Sequence, residues 1–222
     1  MAALRKAGLV VKYAWRLCAG NQHQRKHARY VLTMGIKGID LSSMTVEELG
    51  LEKTRSECYG DSGGPDLEYV LENLKVGPQD AILDLGCGKG GAMYSMAKFP
   101  FARVDGIDLC PDMIKTAERN LARLGFHHGK MTLQDAVEFT DYDSYTFVYL
   151  FHPFLESVTQ GVLENMKASL RRAPRRFVLI YKNPAYHDAV IAAGFRQIAH
   201  FDHAVPPFRV YEFGPSSERM LE

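Results

Sequence analysis

Between Ala81 and Gly91 the chain reads AILDLGCGKGG, an apolar run that carries one acid, Asp84, and passes into glycines at positions 86, 88, 90 and 91. An apolar strand running into a glycine-rich turn lets backbone N–H groups approach a ligand that any side chain would hold away. Glycines also lose the most conformational freedom on folding, so four of them within six residues imply that the turn must leave room for something. The rest of the chain is read as the scaffold for that turn.

Two classes of cofactor fit it. Gly86, Gly88 and Gly91 satisfy the spacing G-x-G-x-x-G of a dinucleotide site, and Asp108 follows at about the distance from which an acid takes a ribose hydroxyl. Asp84 weighs the other way. A carboxylate at the carboxyl end of the strand repels a pyrophosphate, whereas S-adenosylmethionine (SAM) brings an ammonium and a sulfonium to that place. Asp105 competes with Asp108 for the ribose, but it lies inside the predicted strand 103–109, while Asp108 near its end can accept from both ribose hydroxyls.

DLGCGKG, the strand-end acid of VDGIDL and then LQDA occur in the order typical of the class I SAM-dependent methyltransferases, and from about Tyr59 to Phe213 the chain resembles that superfamily. The resemblance implies an α/β fold: a seven-stranded, mostly parallel, doubly wound sheet with a helical N-terminal extension. It implies SAM as cofactor and S-adenosylhomocysteine (SAH) as product. Residues 1–58 become an extension able to cover the active site, 59–214 the SAM-binding domain and 215–222 a tail. Carried onto these residues, the resemblance puts Asp84, Gly86, Cys87 and Gly88 at the cofactor, with Tyr59 along its methionine end. Asp108 and Leu109 fall at the ribose, Asp135 and the Ala136 N–H at the adenine amino group and a ring nitrogen, and Leu150 near the end of the fourth strand.

The predicted strand 146–151 runs straight into His152, Pro153 and Phe154. In an open α/β sheet ligands lie beyond the carboxyl ends of the strands, so FHPF stands where the methyl group emerges. Amino-methylating relatives often carry Asn or Asp, two prolines and an aromatic here. Histidine in place of the amide and the missing proline leave nitrogen as the target open. His152 is a candidate general base or an orienting group for a hydroxyl, or else a cap on the next helix. Pro153, Phe154 and Tyr181 are the other candidate acceptor contacts.

A chain of 222 residues accommodates one α/β domain with a real core plus an extension. No apolar run approaches the length that crosses a bilayer. Cys18, Cys58, Cys87 and Cys110 form no C-x-x-C pair, which argues against structural zinc and a disulfide framework and fits a reducing, cytoplasmic compartment. The pairs His23/His27 and His200/His203 have helical spacing but no thiol or carboxylate cluster joins them, so no metal is expected. Residues 1–39 hold eight Lys or Arg and no acid, leaving nineteen basic and twenty-six acidic residues afterwards, a net charge of −7. That acidity counts against a nucleic-acid acceptor. Arg171, Arg172, Arg175 and Arg176 are read as complementing a helix C-terminus.

In the extension, Leu4, Ala7, Val11, Ala14, Trp15 and Cys18 recur at spacings of three and four. The pattern predicts an amphipathic helix over 2–19 packed on the domain; a membrane-surface helix and an organelle-targeting segment share it. With Gln22 to Tyr30 it forms a candidate lid or substrate platform by resemblance. Residues 35–64 are polar and turn-rich, without a clear period. Helices are predicted over 65–75, from the glycine turn to 97, and over 111–124, 155–170 and 185–193. Strands are predicted over 81–85, 103–109, 130–135, 146–151 and 177–181, closing with a hairpin of 195–201 and 208–213.

Three functions follow. The first is an enzyme methylating oxygen or nitrogen of a small molecule or a peptide. The second is a SAM- or SAH-binding regulator without turnover, and the third an NAD-dependent oxidoreductase, which would not normally end in such a hairpin. The pattern specifies no oligomer.

Overall fold

Apolar strands alternate with amphipathic helices from residue 65 onward. The computed structural model describes residue 13 and residues 15–53, 55–127 and 129–213. In chain order the elements are helix α1 (Gln22–Ile36), helix α2 (Pro65–Glu72), strand β1 (Ala81–Leu85), helix α3 (Gly91–Met96), strand β2 (Arg103–Asp108), helix α4 (Pro111–Arg123) and strand β3 (Met131–Leu133). Strand β4 (Phe147–Phe151), helix α5 (Glu156–Arg172), strand β5 (Phe177–Lys182), helix α6 (His187–Ala192), strand β6 (Arg196–Phe201) and strand β7 (Phe208–Phe213) follow. They build a seven-stranded sheet of order β3-β2-β1-β4-β5-β7-β6. Strands β1 to β5 run parallel, and β7 enters antiparallel between β5 and β6.

Strand β1 is central and buried along its whole length. Successive side chains of a strand point to opposite faces. Ala81, Leu83 and Leu85 therefore join a core with Val162 and Met166 of α5, while Ile82 joins a second core with Leu67 of α2 and Met93 of α3. Burying one such aliphatic side chain contributes roughly 1.5–3 kcal/mol. Asp84 shares the face of Ile82, so it is an acid set into an otherwise apolar layer.

Helix α4 starts at Pro111, whose missing N–H costs nothing in a first turn, and buries Met113, Ile114, Ala117 and Leu121 on one face. Gly125, at φ +72°, closes it.

The seven-stranded α/β architecture is the one expected. Some bounds differ. Strand β3 is shorter than predicted because the Asp135 side chain accepts from the Val137 N–H at 3.0 Å, a local turn that competes with the ladder. Helix α2 ends at Glu72, not 75, and α5 runs on to Arg172. Most of the predicted helix 2–19 and the tail 215–222 lie outside the described residues. Residues 15–19 are helical, but Trp15, expected on a packed face, is 65% exposed.

Helix α1 packs Tyr30 and Met34 with Ile39 against Leu41, Tyr94 and Leu124. Beyond it the chain stays irregular, as its lack of period predicts, with isolated bridges Met44–Tyr59 and Ser56–Phe154. The arginine cluster does more than complement α5. Arg172 pairs with Asp143 at 2.9 Å and Arg176 with Glu212 at 2.8 Å, while Arg175 donates to the carbonyls of Tyr145 and Tyr142 at 2.8 and 2.6 Å. These bonds tie down loops at the amino-terminal ends of β4 and β5.

Candidate functional site

The carboxyl ends of β1 to β4 open on one pocket, with Asp84, Gly86, Cys87, Asp108, Asp135 and Pro153 among its lining. The glycine turn forms its floor. Gly86 and Gly88 take φ of +75° and +52°, a region that residues with a Cβ rarely adopt. The Gly86 and Cys87 N–H groups both donate to the Ile107 carbonyl at 2.9 Å, which locks the turn to β2. A Cβ on Gly86 would stand 2.7 Å from that of Pro153, and one on Gly88 would run into the Tyr59 ring. Part of the room the glycines leave is thus taken by protein side chains.

Two acids of β2, three residues apart, do different work. Asp108 accepts from the Gly88 N–H at 2.9 Å and the Cys110 N–H at 2.8 Å, and faces the pocket. Its carboxyl is pushed up by burial, an effect those N–H groups oppose. Asp105 is turned away, accepting from the Tyr145 hydroxyl at 2.7 Å and the Lys130 N–H at 2.8 Å.

Asp84 is 2% exposed and its Oδ2 has no hydrogen-bond partner. Burial pushes its carboxyl well above the ordinary range, and the nearby Asp108 and Asp61 carboxylates push in the same direction. An ionised carboxylate left this way costs several kcal/mol unless it is protonated or meets a cation. Among the described residues the pocket also carries Glu57, Asp61 and Asp135, against one cation, Arg55, which is already paired with Asp135 at 2.6 Å. Such a lining suits a ligand with positive charge at the β1 end and opposes a pyrophosphate. The donor set and the unpartnered oxygen fit SAM.

Of the expected cofactor contacts, Leu109 and Ala136 also line the pocket, and Tyr59 covers Gly88. Leu150 does not reach it. It is 3% exposed and belongs to the core under α5, because the strand period turns it away while Phe151 beside it faces the pocket. Gly88 is likewise absent from the wall, since the Tyr59 ring lies over it.

At the β4 end, Pro153 and Phe154 line the pocket. His152 does not. Its backbone takes φ +38°, and the ring turns so that Nδ1 lies 3.1 Å from the Tyr181 hydroxyl and Nε2 3.7 Å from Glu57 Oε1. Burial lowers its pKa and Glu57 partly opposes that. It caps no helix: the residue before α5 is Leu155, with no side-chain cap. Tyr181, fully buried within β5, is also off the wall.

Four contributors were not foreseen. Asp61, half-buried in the pocket wall, accepts from the Tyr30 hydroxyl at 3.0 Å and the Gly63 N–H at 3.1 Å. An acid among the small residues of YGDSGG was its only signal. Arg55 and Glu57 come from the irregular segment and gave none. Lys89, inside the glycine turn, is 3% exposed and donates to Asp40 Oδ2 at 3.0 Å and the Ser42 carbonyl at 2.9 Å. Asn120 of α4 completes that clasp with a bond to the Asp40 carbonyl at 2.8 Å.

Among the described residues no group of three or more His, Cys, Asp or Glu is placed to hold a metal ion, and no helix is long and apolar enough to cross a membrane.

Residues 82–173 match a family model described as a methyltransferase domain. Over 48 residues the chain is 44% identical to a demethylmenaquinone methyltransferase of Chlorobaculum parvum, covering 22% of this chain and 20% of that protein. The ribosomal protein L11 methylase of Lactobacillus delbrueckii subsp. bulgaricus superposes with a TM-score of 0.54 at 14% identity, over 68% of this chain and 77% of that one. A SAM dependent methyltransferase of Aquifex aeolicus gives a TM-score of 0.51 at 19% identity, over 66% and 88%. The curated relatives are matched over no more than 26% of their own length, and the solved structures share the fold.

Proposed function

We propose that this chain, which belongs to the class I SAM-dependent methyltransferases, passes a methyl group to an oxygen or nitrogen of a small-molecule or peptide acceptor. The observation that carries the reading is the buried, unpartnered Asp84 Oδ2 at the end of β1, in a pocket rich in carboxylates. SAM, when bound, supplies a methyl group already activated by its sulfonium, so the protein contributes alignment and a dry site rather than a catalytic triad.

Asp84 takes the ammonium, beside Gly86, Cys87 and Gly88, with Tyr59 covering that end. Asp108 holds the ribose hydroxyls with Leu109 against the ring. Asp135 and the Ala136 N–H serve adenine, and Leu150 anchors β4 on the core under α5. Phe151, Pro153 and Phe154 exclude water and shape the acceptor space. His152, kept neutral by burial, can take the proton of an acceptor hydroxyl that reaches its Nε2, and Tyr181 orients its other nitrogen. From the extension, Leu49, Leu51 and residues 55–58 cover the site. The acidic lining disfavours a nucleic-acid acceptor, and exposed free cysteines at 18 and 58 suit the cytoplasm.

A second reading, a SAM-binding regulator without turnover, draws on His152 and Tyr181 standing off the pocket wall. Incubation with methyl-labelled SAM and a pool of cell metabolites and peptides separates the two. The enzyme reading expects SAH and a labelled product together. Tight SAH binding with no labelled product from any pool supports the regulator, and stabilisation by NAD but not SAH overturns both.

A further inference from the structure

Residues 55–61 cross the mouth of the pocket and are tied to its far rim at several points. Arg55 reaches Asp135 at 2.6 Å. The Glu57 N–H donates to the Pro153 carbonyl and the Leu155 N–H to the Arg55 carbonyl, each at 3.2 Å, and Ser56 bridges Phe154. Tyr59, on the same segment, presses on Gly88. Every residue from Arg55 to Asp61 lines the pocket, so a ligand that enters it meets this segment.

The ties are unequal. The backbone bonds are neutral and long, at 3.2 Å. The Arg55–Asp135 pair is short and charge-assisted, yet its guanidinium is 40% exposed while the carboxylate is 16% exposed. It can open to water without stranding a charge. Asp135 Oδ1 already accepts from the Val137 N–H at 3.0 Å, so the oxygen facing the pocket is the one Arg55 holds.

We propose that Arg55 is an internal competitor of the cofactor: its guanidinium occupies the Asp135 carboxylate that the adenine amino group uses, and binding exchanges one for the other. This rests on the reading of Asp135 as the adenine contact. The exchange keeps the site shut until a ligand with a hydrogen-bond donor at that end arrives, and it ties lifting of residues 55–61 to occupation of the adenine end.

The test is stopped-flow and calorimetric binding of SAH to the full chain, as wild type, Arg55→Gln and Arg55→Lys, at low and high salt. Removing an exposed pair worth 0.2–1 kcal/mol converts to a change of about 1.4- to fivefold, so Arg55→Gln binds SAH faster and tighter by that factor. Arg55→Lys, which keeps the charge but not the planar fork, falls between. SAH carries no net charge near neutrality, so added salt speeds association to wild type by screening the pair and leaves Arg55→Gln unchanged. Unchanged or weaker binding by Arg55→Gln, or salt acting equally on both, overturns the competition while the SAM reading stands. If neither wild type nor either variant binds SAH, the SAM reading falls as well.

Discussion

The floor of the pocket and its cover are built on different principles. In the floor, carboxylates sit at the ends of parallel strands, and Asp108 is fixed by N–H groups of residues 88 and 110, close to it in sequence or on the adjoining turn. In the cover, the fastenings are side chains from distant parts of the chain: Arg55 to Asp135 and Asp40 to Asn120, each 80 residues apart. The floor is rigid because the sheet is rigid, and it sets which charge the site accepts. The cover is held by a few polar contacts, and on the proposal above their exchange opens the site.

The contrast is broken most severely at β2. Asp108→Asn is expected to weaken SAH binding by about 10- to 100-fold, the worth of a hydrogen bond to a charged group, with little change in melting temperature. Asp105→Asn is expected to do the reverse. It unsettles the bonds to Tyr145 and Lys130, lowers stability by about 1–2 kcal/mol in denaturant unfolding, and leaves SAH affinity unchanged. If both variants act alike, the division of work between the two acids is wrong.

Where floor meets cover, Gly88→Ala forces a Cβ into the Tyr59 ring at a positive φ. A loss of about 1–3 kcal/mol is expected. Gly88→Ala combined with Tyr59→Ala should recover the steric part and leave the backbone part, which chemical denaturation of the single and double variants resolves. At a second junction of floor and cover, Lys89→Met removes the clasp on Asp40 and Ser42. Asp40 is 43% exposed and can be resolvated, so the expected loss is only about 1 kcal/mol, accompanied by faster SAH association.

The smallest effect is on pH dependence. Burial raises the Asp84 carboxyl above its ordinary value of 3.8, so the folded, ligand-free protein holds a proton that the unfolded chain releases. Its contribution to stability is present below that ordinary value and is lost as pH rises through the raised one. Urea midpoints measured across that range should therefore fall less steeply with pH in Asp84→Asn than in wild type.

How much of this was readable in advance follows the same division. Strand β1, the glycine turn and the facing of Asp108 to the pocket with Asp105 turned from it rest on neighbours in sequence and on the position of each acid along its strand, and these are legible. Leu150 is expected at the cofactor because it stands at the carboxyl end of β4, but the two-residue period sends it to the other face from Phe151. His152 was placed correctly at the end of β4, but its direction depends on a φ of +38° that nothing in FHPF announces. Arg55 could not be found at all, since an arginine in a segment without period carries no mark of a partner 80 residues away.

Calorimetric titration of SAM into wild type and Asp84→Asn at neutral pH, in two buffers of different ionisation heat, tests the central claim most directly. The account predicts that Asp84→Asn loses at least about tenfold in affinity, and that any part of the wild-type heat that varies with the buffer, from a proton Asp84 releases on meeting the ammonium, is smaller in Asp84→Asn. Equal affinities and equal buffer dependence in the two proteins would contradict it.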